Sequence, residues 1–155
     1  MSLDLAPRNR PRPTTSIEGP HRQLDGQSSA EVWRGLVAQA SALAHVETGR
    51  SQISPASTIA LFFDDLDTAY VESTNLSPGN RLEPVHIHGM EDTSTHLCLP
   101  LERAREVCDL GWGEPHPYGD FGTEIMIYGP QDEEELSVAL GLIEESLTFA
   151  RERAE

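Results

Sequence analysis

Residues 85–100 read VHIHGMEDTSTHLCLP and place His86, His88 and His96 inside eleven residues, with Cys98 two further on. Imidazole and thiol side chains this close together can serve three chemistries. They can hold a transition metal, because nitrogen and sulfur donors suit Zn, Cu or Fe. They can form a metal-free pocket in which neutral imidazoles act as general bases or hydrogen-bond donors. Or they can decorate a hydrated sheet face. The order HxH…HxC is not an established zinc spacing. All three readings therefore stay open, with His86, His88, His96 and Cys98 as the ligand set for a metal. A second stretch, GWGEPHP at residues 111–117, sets Trp112 and His116 on a glycine-rich loop. Glycine on both sides of a tryptophan costs backbone entropy. Either it lets the chain turn sharply so that Trp112 plugs the core, or the loop lines a pocket with an aromatic wall and His116.

Those side chains need a scaffold, and the pattern around them specifies one. Side chains alternate between the faces of a strand. Val85 and Ile87 point one way and His86 and His88 the other; Leu97 and Leu99 oppose His96 and Cys98. A hairpin around residues 89–93 pairs His86 with His96 and His88 with Ser94. A slip of one residue would bury histidines and expose leucines. Upstream, a helix is expected from Ser29 to Val46, opened by a capping box of Ser28 and Glu31. Its apolar stripe is Val32, Trp33, Leu36, Val37, Ala40, Leu43 and Ala44. Pro55 breaks the chain before a strand at 58–63, and a further strand is expected over Ala69–Glu72. A short helix follows Pro100 and stops at Gly111, then comes a long loop over 111–122 and a strand in TEIMIYG. The last helix opens on Asp132 and Glu135 and buries Leu136, Ala139, Leu140, Ile143, Leu147 and Ala150. The fold class is α+β: a small antiparallel or mixed sheet with helices packed on one face.

The 155 residues fit one domain. Residues 1–26 carry four Arg and four Pro and few large apolar side chains. They read as a disordered arm ahead of a single domain at 27–155. A basic arm of this kind could also dock on the acidic body of a partner subunit and form a homodimer. The formal net charge of −15 excludes nucleic acid as a partner and disfavours anionic membranes. All eleven basic residues are Arg, which removes Schiff-base and P-loop lysine chemistry. No apolar run nears the roughly 18 residues that span a bilayer, and no secretory signal opens the chain. Cys98 and Cys108 sit in apolar patterns and read as reduced thiols of a cytoplasmic protein.

Four pieces in order resemble the luciferase domain of fungal luciferases and their bacterial relatives. They are HIH with THL eight residues on, GWGEPHP, MIYGPQDEEE, and the amphipathic terminal helix. The resemblance covers about the last 70 residues; residues 1–60 match it only in length and helix content. It implies an enzyme that oxidises a small, enolisable, aromatic or pyrone-like substrate with O2 and no organic cofactor. On that analogy His86, His88, His96, Trp112 and His116 form the candidate site, the histidines as acid/base groups and Trp112 as a substrate contact; Tyr118 and Ser94 are further expected substrate contacts. The chain departs from the fungal pattern at Glu91, in the turn where that pattern carries a further histidine, and it lacks the fungal N-terminal membrane segment.

Overall fold

Apolar alternation decides which face of the sheet meets the helices. The computed structural model describes residues 3–66, 72–117 and 122–154. Among them, six strands form one sheet: β1 (Val46–Arg50), β2 (Ile59–Phe63), β3 (Val85–Ile87), β4 (Thr95–Cys98), β5 (Gly113–Pro115) and β6 (Glu124–Ile127). Their order is β1-β2-β3-β4-β6-β5, and every neighbouring pair is antiparallel. Val85 pairs with Leu97 and His86 with His96, the register that the alternation predicts. Leu61, Val85, Ile87, Leu97, Ile125 and Ile127 bury themselves against α1 (Ala30–Ser41), α2 (Leu101–Asp109) and α3 (Glu133–Ala154). Each such side chain contributes about 1.5–3 kcal/mol when fully buried, so several together fix the register. The fold is α+β with helices against the sheet, as the sequence indicates.

Local chemistry explains where the helices start and stop. The cap of α1 is Ser29, whose side chain accepts from the Val32 N–H, and not Ser28. This helix ends at Ser41, five residues short of Val46. The chain turns at His45, which has a φ of 62°, and Val46 opens β1. β1 was illegible because its sequence, VETGR, is polar and mostly exposed on the sheet edge. Of the strand expected over Ala69–Glu72, residues 69–71 lie outside the described residues, and Glu72 begins a 3-10 turn to Thr74. In α3 the Asp132 carboxylate accepts the Glu135 N–H at 2.9 Å, and Glu135 reaches back to the Gln131 N–H at 3.1 Å. Leu142 joins the buried face of α3, while Leu140 is only partly buried.

The two glycines of GWG have separate reasons. Gly111 follows α2 with a φ of +86°, the left-handed conformation that ends helices. Gly113 lies in β5, where a Cβ would come within 2.2 Å of the Met126 carbonyl oxygen. Between them Trp112 packs against the core and shares a small crevice with Ile127, Ala139 and Leu142. Its Nε1 donates to the Ala6 carbonyl at 2.7 Å. Trp112 is therefore the core plug, on the helix side of the sheet.

The N-terminal segment departs from the expectation of a disordered arm. Residues 3–26 lie along the body and are held by polar contacts, which composition does not reveal. Arg10 bonds Glu135 at 2.6 Å and Asp132 at 2.7 Å. Arg12 donates to the Gly113 carbonyl at 2.7 Å. A bridge between Thr15 and Gln23 closes a loop that carries His21 inward. Gln23 is 1% exposed. Its amide nitrogen donates to the carbonyls of Asp25 and Gly26, and its oxygen accepts the Gly129 N–H at 2.9 Å. The arginines thus meet acids of their own chain, and this docking needs no partner subunit.

Two stability measurements follow. Ile143→Ala, at a fully buried position of α3, is expected to cost about 2–5 kcal/mol in chemical denaturation; a loss below about 0.5 kcal/mol would mean that this face is not core. Gln23→Ala is expected to cost about 1–3 kcal/mol, because it strands the buried Gly129 N–H. An unchanged unfolding midpoint would show that the arm does not dock.

Candidate functional site

The sheet face opposite the helices carries the histidines. His86 on β3 and His96 on β4 are neighbours across the hairpin. Met126 and Glu124 on β6 continue the row opposite His96 and Cys98, and Glu114 on β5 faces Met126. Loops cover this face: the arm over 20–24, the β1–β2 connection over 53–58, and residues 75–78. Together they enclose a cleft of about 910 Å³ lined by His21, His86, His88, His96 and His116. That volume suits a small metabolite. His45 lies outside the cluster, exposed and 3.2 Å from Asp64.

The five imidazoles touch one another. His88 and His96 have ring centroids 4.7 Å apart, and His96 stacks on His21 at 5.1 Å. His116 meets His96 edge-on at 5.1 Å. His86 Nε2 lies 3.2 Å from His96 Nδ1, and His96 Nε2 lies 3.2 Å from His21 Nδ1. One nitrogen from each of His86, His88 and His96 falls within 4.8 Å of the other two, and the same holds for His21, His96 and His116.

Behind four of the five stands a carboxylate. His86 Nδ1 bonds Glu83 at 2.7 Å, and Glu83 is fully buried and also accepts from Ser51 and the Gln52 N–H. His88 Nδ1 lies 3.0 Å from Asp92 and 2.9 Å from Ser94 Oγ, which itself donates to Asp92. His21 Nε2 bonds Glu114 at 2.8 Å; Glu114 also accepts from Tyr128 and Thr15. His116 Nε2 lies 3.5 Å from Glu124. Such partners fix which ring nitrogen carries the proton and which presents a lone pair.

Burial sets the charge states. It pushes the pKa of His86 down, against the opposing pull of Glu83, and that of His96 well down, with the neighbouring imidazoles adding to the effect. Burial and then His21 lower His116 to about 4. For Glu83 burial pushes upward, but bonds from His86 and the Gln52 N–H outweigh it and hold the carboxyl below its ordinary value. Asp92 behaves likewise through His88 and Ser94. Glu124 has no such compensation, and burial raises it to about 7. Burial also raises the Cys98 thiol, which disfavours the thiolate.

The residues expected from sequence divide clearly. His86, His88, His96 and His116 converge on the cleft. Cys98 lines it but stands outside both imidazole triads. Ser94 is fully buried between His88 and Asp92, where it orients the imidazole rather than facing the cleft. Trp112 is on the opposite face and does not wall the histidines. Tyr118 lies outside the described residues. His21, Glu83, Asp92, Glu114 and Glu124 were missed. The only signal for the acids was proximity, since Glu83, Asp92 and Glu114 stand two to four residues from a histidine. His21 had no signal, because the arm shows no periodicity.

Residues 81–146 match the family profile described as Luciferase domain, a span that holds four of the five clustered histidines. A protein named Luciferase from Armillaria gallica is 30% identical over 162 aligned residues, covering 94% of this chain, and its Armillaria ostoyae counterpart gives the same figures. A Luciferase from Neonothopanus nambi is 34% identical over 73 residues, 43% of this chain. The chain spans about 61% of the length of the Armillaria proteins. No solved structure matches. Among the described residues, no helix is long and apolar enough to cross a membrane. The chain resembles the fungal luciferases over nearly all of its length, well beyond the last 70 residues in which the motifs lie.

Proposed function

We propose that this protein is a small-molecule enzyme that oxidises an enolisable, aromatic or pyrone-like metabolite with O2 in the histidine cleft. The observation that carries the reading is the convergence of five imidazoles on one wall of a 910 Å³ cleft. The likeness to proteins named Luciferase supports the oxidative chemistry. Two reduced cysteines fit a cytoplasmic setting.

The chemistry needs a base, a dry cavity and donors for an oxyanion. Removal of the enol O–H proton makes the ring carbon nucleophilic. That carbon then forms a bond to O2; the substrate gives up two electrons and dioxygen becomes a carbon-bound peroxide anion. His116 and Glu124, 3.5 Å apart at the cleft wall, are the base pair of this reading. His116 is neutral at pH 7, and Glu124, raised to about 7 by burial, exchanges its proton near the working pH. Hydrogen-bond donors on the sheltered wall stabilise the developing negative charge.

The test is oxygen uptake by the purified full chain on a hydroxylated α-pyrone. Substrate-dependent O2 consumption is expected, and His116→Ala should slow it at least tenfold, as loss of a general base does. The rate should rise with pH through about 7 as Glu124 deprotonates, and Glu124→Gln should flatten that rise. Among the described residues, His116 and Cys98 are titratable neighbours of Glu124. They do not mimic the rise, because His116 titrates near 4 and the Cys98 thiol stays protonated. Binding of the pyrone without O2 uptake would make the protein a metabolite-binding module instead.

A further inference from the structure

The proton count around His96 does not close. Glu83, a buried carboxylate, can only accept, so His86 keeps its proton on Nδ1 and presents a lone pair at Nε2. The same logic with Glu114 protonates His21 at Nε2 and leaves a lone pair at Nδ1. Those two lone pairs point at the two nitrogens of His96, each across 3.2 Å; the Ser54 hydroxyl, 3.1 Å from His86 Nε2, can donate to that lone pair but gives His96 no second proton. A neutral imidazole has one N–H. At one of the two contacts, therefore, lone pair faces lone pair inside the protein. His88 brings a further lone pair close by: its Nδ1 is held by Asp92 and Ser94, which leaves Nε2 as its lone-pair nitrogen. A second proton on His96 would relieve the clash. It would also place a cation 4% exposed with no carboxylate against it among the described residues, which is costly.

A metal ion meets the same demand at a lower cost. We infer that His86, His88 and His96 form the binding site of a divalent first-row transition metal. The three offer nitrogens within 4.8 Å of one another and are all buried. Two imidazole nitrogens bound to one tetrahedral ion, each about 2.1 Å away, stand about 3.4 Å apart. The 3.2 Å between His86 Nε2 and His96 Nδ1 fits that spacing. Glu83 and Asp92 play the part that carboxylates play behind metal-bound histidines: they fix the tautomer and raise the basicity of the ligand. The all-nitrogen donor set selects Zn, Cu, Fe, Ni or Co over Mg or Ca. All three histidines line the cleft, so an ion there leaves its remaining positions to substrate. In that place it would polarise an enolate oxygen as a Lewis acid. The site deepens the proposed oxidation, since it is set in the same cleft, but it can be tested without turnover.

The test is metal binding by the full chain, expressed without a histidine tag and stripped with a chelator. Added Co²⁺ should bind at one equivalent with a visible absorption band, and Zn²⁺ should displace it. Zn²⁺ should also raise the thermal midpoint of the wild-type protein, a readout that needs no variant. His88→Gln and His86→Gln should weaken Zn²⁺ binding at least a hundredfold, and Glu83→Gln about tenfold or more, with far-UV dichroism confirming that each variant folds. His116→Gln should retain it. The assignment falls if the stripped wild-type protein binds neither ion tightly. It falls equally if His116→Gln abolishes binding and His88→Gln does not, which would move the ion to His21, His96 and His116. Metal-free protein that still consumes O2 on a hydroxypyrone would overturn the Lewis-acid role of the ion and leave the proposed activity standing.

Discussion

The antiparallel pairing of β3 with β4 is the constraint on which the rest of the structure depends. Val85, Ile87 and Leu97 must leave water, and only one register lets all three do so on the same side. Strand geometry then has no freedom left for the other side chains: His86 and His96 must face each other across the hairpin. The helices gain their apolar surface from one face and the cleft gains its imidazoles from the other. A hydrophobic requirement on one side of the sheet is in this way converted into a chemical arrangement on the opposite side. His86 and His96 consequently stand on strands, which hold ring positions better than a loop would.

A cluster of five imidazoles is not self-supporting. Rings in van der Waals contact would adopt arbitrary tautomers and repel if charged. Glu83, Asp92, Glu114 and Glu124 prevent this by taking one ring each. Glu83 shows how the carboxylate is itself stabilised. It is fully buried, which disfavours its charge, yet Ser51, the Gln52 N–H and His86 all donate to it and the charge survives. Glu124 lacks that support and is left near neutrality. Glu83 behind His86 and Glu124 on the cleft wall are thus separated in proton affinity by their bonds, the arrangement that lets carboxyls of one site take different roles.

The sheet and its site were legible in the sequence to different degrees. The β3–β4 hairpin could be read because period-two alternation runs through both strands. The start of α3 could be read because Asp132 and Glu135 have few other reasons to precede an apolar stripe. β1 and β5 could not, since VETGR and GEP carry no apolar alternation; they are edge strands whose pairing is backbone chemistry. His86, His88 and His96 were visible through their spacing, and His116 through its loop. Trp112 was ambiguous because glycines that permit a close approach and glycines that open a pocket look alike in a sequence. His21 and Gln23 were invisible for a deeper reason. Sequence patterns report apolar burial, and the arm is held by guanidinium–carboxylate pairs and amide bonds whose partners lie more than a hundred residues away.

Charge resolves that last difficulty. A net charge of −15 first reads as an exclusion: no nucleic acid, no anionic surface. It also has a local consequence. Three of the eleven arginines, Arg8, Arg10 and Arg12, fall within five residues of one another, and the body they precede is acidic. The helix α3 opens on Asp132 followed by three glutamates in its first turn, which favours the helix dipole but concentrates negative charge. Arg10 meets that charge at Asp132 and Glu135, and Arg8 lies 3.6 Å from Glu135. The Arg10–Asp132 pair is exposed, hence weak and screened by salt, and the attraction orients the segment more than it locks it. Orientation is what His21 requires. Once Arg12 reaches the Gly113 carbonyl, Thr15 and His21 arrive together at Glu114, and the fifth imidazole is delivered to His96. The acidity that reads against polyanionic partners is therefore the same property that brings the arm onto the sheet and closes the cleft.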